Sequence, residues 1–163
     1  MKDLNSQIDS MFREKIYHVL GENASRIQKL NIRYTKSNKK YSPEHLDAIS
    51  GSFERAIKEI PRELLRIEKS TRLKYLVPLD DKRRQDIIKI MTTDVEMLIE
   101  KITREYRLIF KDHQLEEEFD GRIKVMLKLA QQKIDEGIGK TVESINEKLN
   151  SIFSLKRSKN TAL

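Results

Sequence analysis

Six cations, Arg26, Lys29, Arg33, Lys36, Lys39 and Lys40, crowd one short stretch, and no acidic residue falls between Glu22 and Glu44. The first four recur at steps of three and four, so on a helix they share one face. Like charges placed in this way repel one another, and an external anion relieves that cost. The chemistry on offer is phosphate contact, and six such groups on a nucleic-acid backbone give a salt slope of about −5. A solvated helix face has the same spacing. A second row, Arg55, Arg62, Arg66, Lys69 and Arg72, is interleaved with Glu54, Glu59, Glu63 and Glu68. Ion pairs within one helix, worth roughly 0.2–0.5 kcal/mol each, account for it.

Two further clusters look chemical, and geometry argues against both. Gly139-Lys140-Thr141 has the ending of a phosphate-binding P-loop. That loop needs a glycine where Ile134 stands, and a strand before it. Asp112, His113, Glu116, Glu117, Glu118 and Asp120 combine carboxylates with a histidine, a donor set for a hard or borderline metal. Three consecutive glutamates fan around a helix and cannot all face one ion, and the Glu-x-x-His spacing of di-iron bundles is missing. Acids gathered at a solvated helix start, where the macrodipole favours them, explain the cluster more simply. The expectation is no metal site, no cofactor and no catalytic residue.

Arg13 precedes His18 by five residues and Arg107 precedes His113 by six. Arg-x(4–6)-His on helices resembles the motif of HEPN-type ribonucleases, in which paired Arg and His handle the RNA 2′-hydroxyl and the scissile phosphate. The polar residue usual after the arginine is Glu14 in the first pair. Leu108 takes that place in the second, which departs from the pattern. The resemblance implies RNA cleavage by one of these pairs; read without it, they are two surface histidines. Arg62-Glu63-Leu64-Leu65-Arg66-Ile67-Glu68-Lys69, then Val77-Pro78-Leu79-Asp80-Asp81 and a long helical segment, resembles the helical domain of GINS-type replication subunits over about residues 45–110. That resemblance implies an accessory role in a replication complex. The small β domain those subunits usually carry has no counterpart in the last third of the chain.

The elements that must position these residues are helices. Leu4, Ile8, Met11, Phe12, Ile16, Val19 and Leu20 fall on one helical face, and Ala24, Ile27, Leu30 and Tyr34 continue it past Gly21, as one helix or two. Residues 35–41 have no apolar period and form a loop. Ser42 and Pro43 then open a helix, the hydroxyl capping free N–H groups and the proline losing no hydrogen bond at the first position. Leu46, Ile49, Phe53, Ala56 and Ile60 carry it to Pro61, where it kinks or a new helix starts. Leu64, Leu65, Ile67, Leu73 and Leu76 lead on to Val77-Pro78. Asp80 and Asp81 cap a long helix with the face Ile88, Met91, Val95, Leu98, Ile102, Tyr106 and Ile109. A capping-box pattern at Thr93 permits a break, but the apolar register does not slip, which favours continuity.

The last stripe is the longest. Phe119, Ile123, Met126, Ala130, Ile134, Ile138, Val142, Ile145, Leu149 and Ile152 keep steps of three or four, and a helix over about residues 116–155 is roughly 60 Å long. Such a helix packs along another long helix or a partner chain. Gly121, Gly137 and Gly139 weaken it by roughly 1 kcal/mol each, so a bend or a close backbone approach is expected near 137–139. The expected fold is all-α: an elongated bundle of four to six helices with a long C-terminal helix. Residues 1–112 form the bundle, 113–155 the long amphipathic helix and 156–163 a flexible basic tail.

Charged residues make up 36% of the 163 and apolar ones 37%, which suits amphipathic helices with wide wet faces better than an α/β core. With no cysteine there is no disulfide or thiol chemistry, which fits a reducing compartment. Asp3, Asp9 and Glu14 break up the first apolar residues, so no signal-peptide core is expected, and no apolar run approaches a membrane span. A cytoplasmic location follows as the expectation. The net charge of +7 is uneven, being +5 over 1–40, zero over 41–80, −3 over 81–120 and +5 over 121–163. The expected function is therefore a non-catalytic helical interaction protein, a scaffold, adaptor or accessory subunit. Phe119, Ile123, Met126, Ile134, Ile138, Val142, Ile145, Leu149 and Ile152 form its protein interface, with a partner protein or a second copy in a homo-oligomer. The alternative is a nucleic-acid-binding accessory protein, in replication, repair or defence, working through Arg26, Lys29, Arg33, Lys36, Lys39 and Lys40.

Overall fold

The computed structural model describes residues 3–109 and 113–160, apart from the side chains of 102, 103, 105–109, 113–116 and 156–160. The described residues form four helices, α1 (Leu4–Lys36), α2 (Pro43–Tyr75), α3 (Asp81–Ile109) and α4 (His113–Asn160), and no strand. The all-α bundle with a long C-terminal helix is therefore observed, at the lower end of the expected helix number. No helix among the described residues is long and apolar enough to cross a membrane.

Local signals place the helix starts where the sequence puts them. The Ser42 hydroxyl accepts from His45 N–H, with Pro43 in the first turn. Asp80 Oδ1 accepts from Arg83 N–H at 2.7 Å, capping α3. At the other end of α2 the chain reverses through Leu76 at φ 54°, in the left-handed region, with its N–H returned to Arg72 and Leu73 carbonyls. Interior breakers do not break. α1 runs through Gly21, α2 through Pro61 and α3 through Thr93, because packing along each helix outweighs one weak position. α4 continues to Asn160, so residues 156–160 of the expected tail have a helical backbone, while 161–163 lie outside the described residues.

α2 is the hub. Sixteen of its residues are buried against four of α1, and they wrap well over half its circumference. One flank meets α1 antiparallel: Ser52 donates to Asn23 Oδ1 at 2.8 Å, and His45 Nε2 lies 2.9 Å from Asn31 Oδ1. The opposite flank meets α4 parallel, with Arg122 near Asp47 at the start of α2 and Gly137 against Leu65 further along. α3 packs antiparallel to α4 and also touches α2 and α1. The backbones of α1 and α4 nowhere approach within 8 Å, Cα to Cα, among the described residues. Ile49, Ile60, Leu64, Ile87, Met91, Ile134 and Ile138 centre the core. On α3 Ile87, not Ile88, is the fully buried isoleucine, while the side chains of Ile102, Tyr106 and Ile109 lie outside the described set.

A buried charge network ties the ends of three helices together. Glu68, fully buried, accepts from Arg72 within α2 and from Arg83 on α3 at 3.0 Å. Arg83 also lies 2.8 Å from Asp9 on α1, and Arg72 reaches Asn5 and the Pro78 carbonyl. Burying ions is expensive, but here each guanidinium has several oxygen partners, which offsets the desolvation. Burial lowers the pKa of Arg83, but its hydrogen bonds to Glu68 and its pairing with Asp9 raise it by more, so it stands above its ordinary value.

Candidate docking groove

The apolar stripe of α4 is covered within the chain. Phe119, Ile123, Met126, Ile134, Ile138, Ile145 and Leu149 are 0–7% exposed, and Val142 and Ile152 are half-buried. α2 and α3 supply the cover, and all of these belong to one core or pack against it, Ile152 excepted. Eight of the nine expected interface residues thus lie in or against the core of this one chain, Ile152 being half-buried outside it, so a second copy is not needed to seal the stripe. The sequence shows each helix singly and cannot show that α2 presents two apolar flanks, one of which is free for α4.

What α4 leaves open lies beside that stripe. Val125 and Leu129, one position before Met126 and Ala130, are 59% and 45% exposed. With Ile57, Pro61 and Leu65 of α2 they line a trough of about 1230 Å³ between the two parallel helices. Along α2 it runs from Glu54 to Lys69, which is about 22 Å or four turns. Pro61 has no N–H to give to the carbonyl of Ile57, so one bond of the α2 ladder is missing inside the trough wall. The close backbone approach expected near 137–139 is found at Gly137, where a Cβ would stand 2.6 Å from Leu65 Cδ1.

The rim is charged, and unequally. Lys58, Arg62, Arg66 and Lys69 on α2 and Arg122 and Lys133 on α4 face two acids, Glu54 and Glu118. Arg122 bridges Glu118 and Asp47, closing the end nearest the start of α2. Lys58 lies 3.4 Å from Glu54 and Lys133 3.3 Å from Glu136. Glu63, just outside the trough, is shared by Arg66 at 3.0 Å, Arg62 at 3.5 Å and Lys15 at 3.8 Å. Partial burial raises its carboxyl pKa, but Arg66, with Lys15 and Arg62 behind it, brings the pKa below the ordinary value.

The six-cation stretch sits elsewhere, on the second half of α1 and the loop after it. Lys29, Arg33, Lys36, Lys39 and Lys40 are exposed and Arg26 is half-buried, 3.6 Å from Glu22. Lys40 lies over the Tyr41 ring at 4.8 Å. The loop is held by Tyr34, whose hydroxyl donates to the Glu44 carbonyl and whose ring stacks on His45 at 4.6 Å. Four of the six are brought to one face of a single helix, with two at its end.

Arg13 and His18 are not brought together. Arg13 lines a shallow cleft with Lys89 and Asp94 of α3, whereas His18 is exposed and lies 3.9 Å from Glu22. The side chains of Arg107, His113 and Glu116, and all of Asp112, lie outside the described residues. Glu117 and Glu118 are exposed, and no cluster able to hold a metal ion occurs among the described residues. Gly139-Lys140-Thr141 lies in mid-helix, with Thr141 lining the trough. Sequence reasoning missed the trough, though a signal was there: Val125 and Leu129 are apolar, four apart and off the main stripe. Comparison with protein-family models, curated proteins and solved structures finds no match, so the HEPN-type and GINS-type resemblances rest on the residues quoted for them alone.

Proposed function

We propose that this chain is a non-catalytic helical interaction protein, a small scaffold, adaptor or accessory subunit, that docks a partner protein in the α2–α4 trough. The observation that carries the reading is an apolar-floored trough with Val125 and Leu129 more than two-fifths exposed, in a chain whose main apolar stripe is already sealed. Exposed apolar surface of this kind, rimmed by charge, is the ordinary mark of a recognition site. A photo-crosslinker placed at position 129 in the native host tests it. A single discrete adduct, absent with the crosslinker at exposed Glu147 and lost on Val125→Glu, is the expected result. Equal labelling from both positions overturns the reading.

A second reading has its own observation. Five of the six cations at the α1–α2 end are exposed, and their one ion pair among the described residues is Arg26 to Glu22. This arrangement supports phosphate-backbone binding by an accessory protein. Binding to duplex DNA or single-stranded RNA then weakens steeply with salt and is lost on Arg33→Glu with Lys36→Glu. Salt-independent binding, or none at low salt, removes it.

A further inference from the structure

We infer that the occupant of the α2–α4 trough is an acidic amphipathic helix of about four turns, supplied by another protein. This rests on the docking reading above and names its partner.

Size argues for a helix. A cylinder 22 Å long and 10 Å across holds about 1700 Å³, so a helix sunk to about two-thirds of its depth fills a trough of about 1230 Å³. Sites for small ligands run to about 1000 Å³ and enclose most of the molecule. This one is longer, and open along its length.

Charge sets the sign of the partner. The α2 rim places Lys58, Arg62, Arg66 and Lys69 at successive turns, about 4.5–6 Å apart, and Lys133 stands across the trough from them. One carboxylate, Glu63, serves Arg62, Arg66 and Lys15 together, so the rim keeps unspent positive charge. A helix with glutamate or aspartate at matching turns meets each cation, while its apolar face covers Val125, Leu129 and Leu65. The same rim argues against a second copy, since a symmetric contact through the trough sets like charges opposite one another. It also divides the two ends. The Glu54–Glu118 end is closed by the Arg122 bridge, and the surplus of cations over carboxylates lies towards Lys69, where Arg62 and Arg66 share Glu63 with Lys15.

The test is selection of displayed random 16-residue helical peptides on the full chain, with V125E/L129E and K58E/R62E/R66E as parallel targets. Circular dichroism and melting of both variants confirm the fold, since the altered side chains are exposed in the native protein. Peptides enriched on the native chain are expected to be amphipathic and acidic, and to vanish on V125E/L129E. On K58E/R62E/R66E they bind roughly tenfold or more weakly, and basic peptides replace them. Enrichment of neutral or basic peptides that still need Val125 and Leu129 overturns the acidic helix and leaves the docking reading standing. No enrichment over V125E/L129E overturns both. A dimer dissolved by V125E/L129E, or oleate retained by the native chain and lost from that variant, also overturns the inference, in favour of a second copy or a lipid.

Discussion

Three glycines in one helix provide a controlled measurement of how closely α4 is seated. Replacing an interior helical glycine by alanine gains roughly 1 kcal/mol in helix propensity. At Gly121 and Gly139 nothing lies within 4 Å of the position a Cβ would take, so the gain is unopposed. At Gly137 the new methyl would stand 2.6 Å from Leu65 Cδ1, about 1 Å inside an ordinary carbon–carbon contact. Leu65 must then move. It borders the trough, so swinging its end outward relieves part of the overlap, and overpacking of this kind costs about 1–3 kcal/mol. The net effect at 137 therefore runs from about zero to a loss of roughly 2 kcal/mol. In a domain of this size 1 kcal/mol moves Tm by about 2–4 °C. Gly121→Ala and Gly139→Ala should each raise Tm by roughly that amount, and Gly137→Ala should leave it unchanged or lower it by up to about 8 °C. Urea unfolding of the three variants, with Leu65→Ala combined with each, completes the assay. The coupling between 137 and 65 should be at least about 0.5 kcal/mol and that between 121 and 65 near zero. A Gly137→Ala variant as stabilised as the other two refutes the seating of Leu65 on Gly137.

Glu68→Ala removes the carboxylate that two buried guanidiniums share and should destabilise the fold by roughly 3–5 kcal/mol, read by denaturant unfolding; a loss under about 1 kcal/mol means that Asp9, Asn5 and the Pro78 carbonyl suffice to hold them. Two carboxylates should respond to pH in opposite senses. Glu63, held below its ordinary pKa, adds stability above that range and loses it as pH falls through the depressed value, so Glu63→Gln should destabilise at pH 7 and have no effect in acid. Asp94 is raised by burial, with Arg13 opposing, so its penalty sets in as pH rises past the ordinary value and Asp94→Asn should stabilise at pH 7 and lose that effect in acid. A stabilising Glu63→Gln at pH 7 contradicts the first assignment, and a destabilising Asp94→Asn the second. Burial, and then Lys40, lowers the pKa of His45, so stability at the α1–α2 turn should fall as pH drops below the ordinary histidine value of about 6.5. Protection of the Tyr41 amide, which donates to His45 Nδ1 at 3.2 Å, reports this by hydrogen exchange, and a flat profile from pH 7 to 5 disproves it.

Local chemistry was legible in the sequence, and shared surfaces were not. Ser42 and Pro43 fix the start of α2 from within four residues, and the apolar period fixes which faces of α2 and α4 are greasy. Gly21 and Pro61 could not be judged locally, because whether a weak position breaks a helix depends on what packs beside it. The α4 stripe shows the same limit more sharply. Its apolar spacing is plain, but Ile134 and Ile138 are covered by α2 and α3, which no period reveals. Arg72 was readable as a partner of Glu68 four residues before it; the second guanidinium, from Arg83 fifteen residues on, depends on the turn after α2. The cation face on α1 was legible because it needs one helix only. The trough was not, because it needs two.

The parallel seating of α2 and α4 has a cost during synthesis. Leu65 and Gly137 are 72 residues apart, and at about 5–20 residues per second the ribosome takes roughly 4–14 s to go from one to the other. The first hairpin can close at once on its own contacts, but the outer flank of α2, with Ile57, Pro61 and Leu65, stays wet for that interval. A nascent chain in that state offers any passing hydrophobic surface a place to stick, and a stall between the two positions would lengthen the exposure.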